Sequence, residues 1–461
     1  MIPSMTKSKL SFFGGTGTVT GANFLLEIAG LKILVDCGLV QGDESADRIN
    51  RTPFPYNVSQ IDYLLITHGH TDHIGRIPKL VKDGFVGKII STPETRDLAR
   101  LLLNDTVRLL DHEAREQGVL PLYEVLDVEK AFTLWTVNPY HTKLDLTSGV
   151  SIYLKDAGHI LGSSMIEISY NDKKIVFTGD LGNSPSVLLK DTETINQADY
   201  LVMESVYGDR NHPPKEERKQ KLKKVIEETI KYRRTLIIPA FSLERTQMII
   251  YEMNELFESG EIKQQIPVFI DSPLAANITE VYKNYPQDFN EKVQKDIAAG
   301  DKIFSFPRLK FTIRTEESMA IDGVPNPKII MAGSGMSSGG RVVMHEKHYL
   351  SNPNAMILFV GYQAVGTLGR QLQDGLKQVT IFGEEKQVRA KIDSIGGYSS
   401  HKDSDNLLDF VAKAADTSNL KNVFVVMGEP KSALFLVQKI RDNLGVNAVH
   451  PEYGETVELE F

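Results

Sequence analysis

One short stretch limits this chain more than any other. An apolar run, Ile61–Thr67, is followed at once by His68, Gly69, His70, Thr71, Asp72 and His73. The run suits a buried strand, and the segment as far as Pro78 reads as strand, loop and helix. Four side chains able to ligate a metal therefore fall within six positions of a tight loop. Side chains two apart on such a loop can face one cation while the next pair turns toward a second. Zinc takes imidazole nitrogen and carboxylate oxygen at about 2.0–2.2 Å, and paired ions sit roughly 3.5–4 Å apart. Two ions need about seven or eight ligands with one shared, so further ligands must come from elsewhere in the chain.

Other apolar runs end in suitable residues. His159 follows Asp156, Ala157 and Gly158 after the run Ser151–Leu154. Asp180 closes Phe177-Thr178-Gly179-Asp180, and Asp36 comes directly after Lys32–Val35. One His or Asp at a strand end is commonly structural. Three of them in company with the loop His68–His73 point to a metal site. The stretch Gly15–Gly21 faintly resembles a dinucleotide-binding loop, but its glycine spacing is wrong. Asn23–Ile28 after it reads as a strand, so no helix N-terminus would face a pyrophosphate. It is read as a turn between strands.

Further apolar runs at Lys88–Ser91, Met165–Tyr170, Lys174–Thr178 and Tyr200–Met203 also suit strands, with helical periodicity over Glu94–Leu110. From Lys215 the texture changes. Lys215–Lys231 reads as an amphipathic helix whose basic residues alternate with glutamates, the pattern of a solvated face. Strands Thr235–Pro239, Val268–Asp271, Lys328–Ala332 and Ala355–Val360 then alternate with helical stretches such as Glu244–Phe257, which predicts a parallel sheet with crossover helices. The strand–loop–helix rhythm resumes with Ala390–Ile395, Asp405–Ala415, Val423–Met427 and Lys431–Leu444. One domain interrupted by another is expected.

Composition narrows the class. With 461 residues, 41% hydrophobic and 24% charged, the chain has the profile of a soluble globular protein of two or three domains. No apolar run approaches the roughly 20 residues of a membrane span, and Met1–Phe13 has no signal-peptide core. A single cysteine, Cys37, excludes an internal disulfide and suits a reducing cytoplasm. The net charge of −8 does not advertise a polyanionic partner, so an enzyme acting on nucleic acid must concentrate positive charge locally, partly through bound metal.

The loop His68–His73, His159 and Asp180 resemble the signature of the metallo-β-lactamase superfamily, and later segments resemble its β-CASP nucleases over nearly the whole chain. Met203-Glu204-Ser205-Val206-Tyr207-Gly208 is similar to that family's acidic motif A, and Gly396-Gly397-Tyr398-Ser399-Ser400-His401 to motif B. Pro239-Ala240-Phe241 with Arg245-Thr246-Gln247, Asp271-Ser272-Pro273, Gly333-Ser334-Gly335-Met336, and Gly361-Tyr362-Gln363 through Gly369-Arg370 resemble its inserted domain. The likeness is to bacterial and archaeal homologues of the endonuclease subunit of the cleavage and polyadenylation specificity factor. It implies an α/β fold: a metallo-β-lactamase αββα sandwich in residues 8–208 and 386–461, with an α/β β-CASP domain, a parallel sheet flanked by helices, inserted at 209–385. It also implies that His68, His70 and His159 hold one Zn2+, that Asp72 and His73 hold a second, and that Asp180 bridges them, with Mn2+ a substitute. Asp36 would orient the ligand loop. Asp72, Glu204 and His401 would be catalytic, with Glu204 fixing the tautomer of His401.

One position departs from the pattern. RNA-cutting members place a histidine before Gly-Glu at motif C as a further ligand of the second ion; here Met427 precedes Gly428 and Glu429. A thioether is a soft neutral ligand poorly matched to zinc, so the expectation is a second ion that binds more weakly, completes its shell with water, or is absent. His450 is the only nearby histidine in sequence that could substitute. The resemblance implies a ribonuclease acting on single-stranded RNA, in which zinc-generated hydroxide attacks phosphorus and protonated His401 serves the leaving oxygen. The products would carry a 5′-phosphate and a 3′-hydroxyl. Ser334, Gly335, Met336, Arg370, Arg341, Arg245, Ser399 and Ser400 are candidates for phosphate contacts. Homodimerisation is expected from the resemblance alone. The alternatives are a DNA nuclease or other metallohydrolase of the superfamily, since DNA-processing members carry an apolar residue at motif C, or a catalytically impaired RNA-binding or architectural homologue.

Overall fold

The computed structural model describes residues 8–42, 45–417 and 419–461, without the side chains of Lys215 and Glu216. Of the Met1–Phe13 segment, Met1–Lys7 lies outside the described residues. Residues up to Asn211 together with His401–Phe461 form one compact unit, and His212–Ser400 form a second.

The first unit is built on two seven-stranded sheets. In one, the strands stand in the order Thr456–Leu459, Ser8–Phe12, Phe24–Ile28, Leu31–Val35, Tyr63–Leu65, Lys88–Ser91 and Trp135–Val137. In the other the order is Ala448–Val449, Asn422–Val425, Tyr200–Met203, Lys173–Phe177, Ser164–Tyr170, Ser151–Asp156 and Leu144–Asp145. Successive side chains of a strand point to opposite faces, and here both faces are apolar. Phe24, Leu26, Ile33 and Val35 of the first sheet share a core with Ile166, Ile168, Ile175 and Phe177 of the second. The intervening Leu25 and Leu34 instead meet Leu80, Leu103 and Val128, from helices Ile77–Lys82, Pro93–Gln117 and Val125–Thr133. On the far side, Val176, Leu201 and Met203 meet Leu407, Val411, Leu436 and Ile440 of helices Ser404–Asp416 and Pro430–Leu444. The layers are helix, sheet, sheet, helix: the αββα sandwich. Strands apolar on both faces explain why so many read as unbroken hydrophobic runs.

The second unit carries a parallel six-stranded sheet in the order Leu309–Phe311, Val268–Ile270, Lys328–Ala332, Thr235–Pro239, Ala355–Phe359 and Lys391–Ser394. Helices such as Arg245–Glu258, Pro273–Lys283 and Gly340–Tyr349 connect its strands, as parallel pairing requires. No helix among the described residues is long and apolar enough to cross a membrane.

Gly15–Gly21 does lie between two antiparallel strands, Ser8–Phe12 and Phe24–Ile28, with no helix following it. The basic face of Lys215–Lys231 is largely neutralised: Lys219 pairs with Glu255, Lys221 with Glu217 and Lys223 with Glu261.

Candidate metal centre

The first unit gathers chemistry at the C-terminal ends of strands from both sheets. Asp36 follows Leu31–Val35, and Thr67 and His68 follow Tyr63–Leu65. Asp180 follows Lys173–Phe177 and Glu204 follows Tyr200–Met203, while His159 sits in the loop after Ser151–Asp156. His70 caps the short helix Thr71–Ile74, which places Asp72 and His73 on its first turn. The loop is held tightly against the segment that follows Asp36: Cys37 N–H donates to the His73 carbonyl at 2.7 Å, and Leu39 N–H to the Thr71 carbonyl at 3.0 Å. A Cβ on Gly38 would lie 1.5 Å from the Asp72 carbonyl oxygen, so only glycine lets the two segments approach.

Three imidazole nitrogens converge. His70 Nδ1 lies 3.1 Å from His68 Nε2 and 3.2 Å from His159 Nε2. Asp180 Oδ2 lies 3.5 Å from both Nε2 atoms. Tetrahedral ligation with metal–nitrogen distances of about 2.05 Å puts ligand atoms roughly 3.3 Å apart, so this cage fits a zinc-sized cation. A second set, Asp72, His73 and Asp180, shares Asp180 with the first, and a third groups Asp180 with Glu204 and His401.

Hydrogen bonds fix the tautomers. His73 Nδ1–H donates to Asp36 Oδ2 at 2.7 Å. His68 Nδ1–H donates to Thr67 Oγ at 3.1 Å, and Thr67 Oγ–H passes on to Asp36 Oδ2 at 2.8 Å. Asp36, 1% exposed, therefore turns the bare Nε2 atoms of both rings toward the shared carboxylate. His73 Nε2 stands 3.4 Å from Asp180 Oδ1 and 3.8 Å from Asp72 Oδ2. Neither His73 Nε2 nor Asp180 Oδ1 has a hydrogen-bond partner, although both are buried. A buried lone pair facing carboxylate oxygens calls for a cation between them.

The titrations respond to the same crowding. Burial alone would lower the pKa of His73, but the charges of Asp180, Asp36 and Asp72 outweigh it and hold the pKa well above the ordinary value, so that a proton occupies Nε2 wherever no metal cation takes its place. Burial would raise that of Asp180, yet His73 and His68 hold it well below the usual carboxylate range. His70 and His159 are pushed well down by burial and by neighbouring histidines, which keeps them neutral and free to ligate. Burial raises the pKa of Asp72.

Beside this cage, Glu204 is fully buried. Its Oε1 accepts from Leu181 N–H at 2.7 Å and from His401 Nδ1 at 3.2 Å. Burial would lower the pKa of His401, but the Glu204 charge and hydrogen bond, with Asp180 and Asp72, raise it to about 9. Tyr207 lies 6.2 Å from His401 between ring centroids. Sequence reasoning passed over Thr67, whose hydroxyl relays Asp36 to His68. Its signal was a hydroxyl residue immediately before the first ligand.

The structure puts Met427 in the core. It is 2% exposed, belongs to the cluster with Phe24, Phe177 and Val202, and packs its sulfur on Gly15. With Asp36, Thr67, His73, Thr178 and Glu204 it lines a small cavity. His450 does not join the metal sets; its Nδ1–H donates to the Val425 carbonyl at 2.8 Å.

The phosphate candidates of the second unit are internally engaged. Ser334 Oγ accepts from Ser338 N–H at 2.9 Å, and the Gly335 carbonyl accepts from Gln363 at 3.0 Å. Met336 accepts from Gly369 N–H at 3.3 Å. Arg370 pairs with Asp374 at 2.9 Å, Arg341 with Asp271 at 2.7 Å, and Arg245 donates to the Val360 carbonyl. Ser399 and Ser400 immediately precede His401. A separate groove of about 560 Å³, lined by Arg51, Phe54, Tyr56, Lys79 and Lys82 among others, contains none of these residues.

Comparison with known proteins adds independent findings. Residues 17–240 match the model of the metallo-beta-lactamase superfamily, 246–372 that of the Beta-Casp domain, and 385–451 that of the Zn-dependent metallo-hydrolase RNA specificity domain. The chain is 34% identical over 424 residues to Ribonuclease TTHA0252 of Thermus thermophilus, covering 92% of this chain and 94% of that protein. It is 30% identical over 470 residues to Transcription termination factor FttA of Pyrococcus horikoshii, covering 98% of this chain and 71% of the relative. A crystal structure titled as a protein of unknown function from Enterococcus faecalis matches with a TM-score of 0.57 at 14% identity, over 98% of this chain and 100% of that one. That last likeness concerns the fold alone.

Proposed function

The chain belongs to the β-CASP family of the metallo-β-lactamase superfamily and is a metal-dependent nuclease, and on that premise we propose that it is a zinc-dependent ribonuclease that hydrolyses single-stranded RNA to 5′-phosphate and 3′-hydroxyl ends. One observation carries the reading: two ligand sets sharing Asp180, with the buried Glu204 and its half-buried partner His401 against them. A relative of similar length bearing the name ribonuclease supports the substrate class.

In this reading His68, His70 and His159 hold one ion, Asp72 and His73 a second, and Asp180 both; manganese is the substitute of choice. When bound, the ions supply a water of lowered pKa and neutralise charge on the scissile phosphate. The protein supplies the rest. Asp36 orients two of the ligating rings. Asp72, whose side chain keeps 21% of its surface exposed, faces the solvent from which water is drawn. Glu204 takes the Nδ1 proton of His401 in a hydrogen bond, so His401 Nε2 is the atom that gives a proton to the leaving 3′-oxygen, a step worth about 10²–10⁴-fold in rate. Ser334, Gly335, Arg370, Ser399 and Ser400 are the proposed phosphate contacts, for which Ser334 and Arg370 would exchange their bonds to Ser338 and Asp374. A reducing cytoplasm suits Cys37, whose thiol burial pushes up to about 12. Homodimerisation belongs to the same reading and is checked by light scattering.

The test combines a metal count per chain with cleavage of end-labelled RNA and matched DNA. Zinc near two per chain, RNA-selective cutting and 5′-phosphate ends are expected. Ends with 2′,3′-cyclic phosphate would exclude attack by water. Met427 favours a second reading, an RNA-binding protein without catalysis; bound RNA left intact in metal-replete protein supports it instead.

A further inference from the structure

We infer that Phe241 and Tyr362 form a platform on which bases of single-stranded RNA stack; this rests on the chain taking RNA as its substrate. Both lie in the second unit, at the carboxyl ends of neighbouring parallel strands. Phe241 is on the loop after Thr235–Pro239 and Tyr362 on the loop after Ala355–Phe359. The chain leaves these two strands in opposite directions. From Thr235–Pro239 it runs to Val268–Ile270, beyond Lys328–Ala332; from Ala355–Phe359 its next strand in this sheet is Lys391–Ser394, on the other side. Strand ends that part in this way open a crevice, and such crevices are where open parallel sheets bind ligands.

A single exposed ring is ordinary; these two are held out by their surroundings. Phe241 is 40% exposed and Tyr362 53%. A Cβ on Gly335 would lie 2.8, 2.9 and 3.0 Å from Cδ2, Cε2 and Cγ of Phe241. Near-equal distances to three consecutive ring carbons put Gly335 over one face of the ring, which leaves the other face to solvent. The Phe241 carbonyl accepts from Thr246 Oγ–H at 2.7 Å, so the backbone under the ring is fixed. Tyr362 stands between two tied neighbours: the buried Gln363 donates through Nε2 to the Gly335 carbonyl at 3.0 Å and to that of Gly361 at 3.2 Å. Both aromatic loops are thus anchored to one glycine before any ligand arrives, which lowers the cost of ordering them on binding. Charge at this end of the sheet argues for a nucleic-acid strand as the occupant. The helices Arg245–Glu258, Gly340–Tyr349 and Leu368–Gln373 carry no acidic residue in the first turn, yet each has an arginine among its first three residues: Arg245, Arg341 and Arg370. A helix dipole disfavours cations there, and an anionic strand offsets that cost. Every base has a π-face, so the platform accepts RNA without regard to sequence.

Equilibrium binding tests the platform, with the full-length, metal-replete chain carrying His401→Ala as the parent so that the strand stays intact. The probes are a short fluorescein-labelled RNA and an abasic strand of the same length and charge, read by anisotropy. Phe241→Ala and Tyr362→Ala are each expected to weaken RNA binding by about 5–150-fold, the range for losing one base stack, and to leave the abasic strand unaffected. Phe241→Trp should bind as the parent does and lose indole fluorescence as RNA is added; Trp135, the single native tryptophan, is buried and gives a constant background. Variants that match the parent on RNA, or that weaken both strands equally, overturn the platform while RNA binding stands. A parent that holds the abasic strand as tightly as RNA does the same. A parent that binds neither strand overturns the RNA reading, and the platform with it. Should Phe241→Ala fail to fold, Phe241→Leu, which still covers Gly335 but has no π-face, carries the same comparison.

Discussion

Replacing Asp36 by asparagine changes one atom and rearranges the protons of the cage. The carboxylate accepts three hydrogen bonds: from Thr67 N–H at 2.8 Å on Oδ1, and from Thr67 Oγ at 2.8 Å and His73 Nδ1 at 2.7 Å on Oδ2. An amide oxygen kept on Thr67 N–H turns the NH2 toward His73 Nδ1, which must then accept. The His73 proton moves to Nε2, the atom 3.4 Å from Asp180 Oδ1, where a cation would sit. The flipped amide is no better, since it sets NH2 against a buried N–H donor. Losing a partner that orients a ligand typically costs 10–100-fold in metal affinity, or about 1.4–2.8 kcal/mol. The same NH2 faces Thr67 Oγ, whose proton then loses Asp36 Oδ2 as its acceptor, so the relay to His68 is disturbed as well, one bond further from the change. Calorimetric titration of chelator-stripped protein with zinc is therefore expected to show the equivalent that uses His73 weakened by that factor and the other weakened by less. Two equivalents with parent affinities would refute the tautomer reasoning.

Other outcomes follow from the same geometry. Met427→His places an imidazole beside the cavity lined by Asp36, Thr67 and His73; tighter retention of the second equivalent during dialysis is expected, with a loss of about 1–3 kcal/mol in stability from burying a polar group in a packed core. Unchanged zinc content and activity would show that this position does not limit the site. Thr67→Val removes the relay to His68, so the His68, His70 and His159 set should lose about 10-fold or more in affinity while His73 keeps its bond to Asp36. Glu346, buried with one hydrogen bond from Ser337 at 2.6 Å, is raised by burial from 4.5 to about 7. A raised folded-state value means stability is full below about pH 4.5 and falls as pH rises through about 7, by roughly 3 kcal/mol. Denaturant unfolding at pH 5 and 8 should show this fall in the parent and its loss in Glu346→Gln.

Strands buried on both faces were open to reading from the chain. Lys88–Ser91, Tyr200–Met203, Thr235–Pro239 and Lys328–Ala332 carry continuous apolar runs, and each is a strand over that same span. Most edge strands were not, Lys391–Ser394 being the exception. Trp135–Val137 and Leu144–Asp145 leave side chains exposed, and Thr456–Leu459 buries mainly Leu459; partners on one side leave too little pattern to see. The same division holds at the centre. His68, His70, Asp72 and His73 lie on one loop and announce themselves by spacing. Thr67 acquires its role only because parallel pairing of Leu31–Val35 with Tyr63–Leu65 sets Asp36 beside it. His450 shows the converse: a histidine at a suggestive distance in sequence whose strand turns it to a carbonyl.

The order of synthesis sets a problem that this topology must survive. Both sheets of the first unit are completed by strands that follow His401: Asn422–Val425 lies beside Tyr200–Met203, and Thr456–Leu459 beside Ser8–Phe12. On the ribosome some 190 residues of the second unit emerge in between, which at 5–20 residues per second takes roughly 10–40 s. For that interval the nascent sandwich presents two unpaired strand margins, the kind of surface that recruits foreign strands. The contiguous second unit has its own sheet and core and is free to fold while its host waits, so slow translation of the last 60 or so residues should favour aggregation over yield.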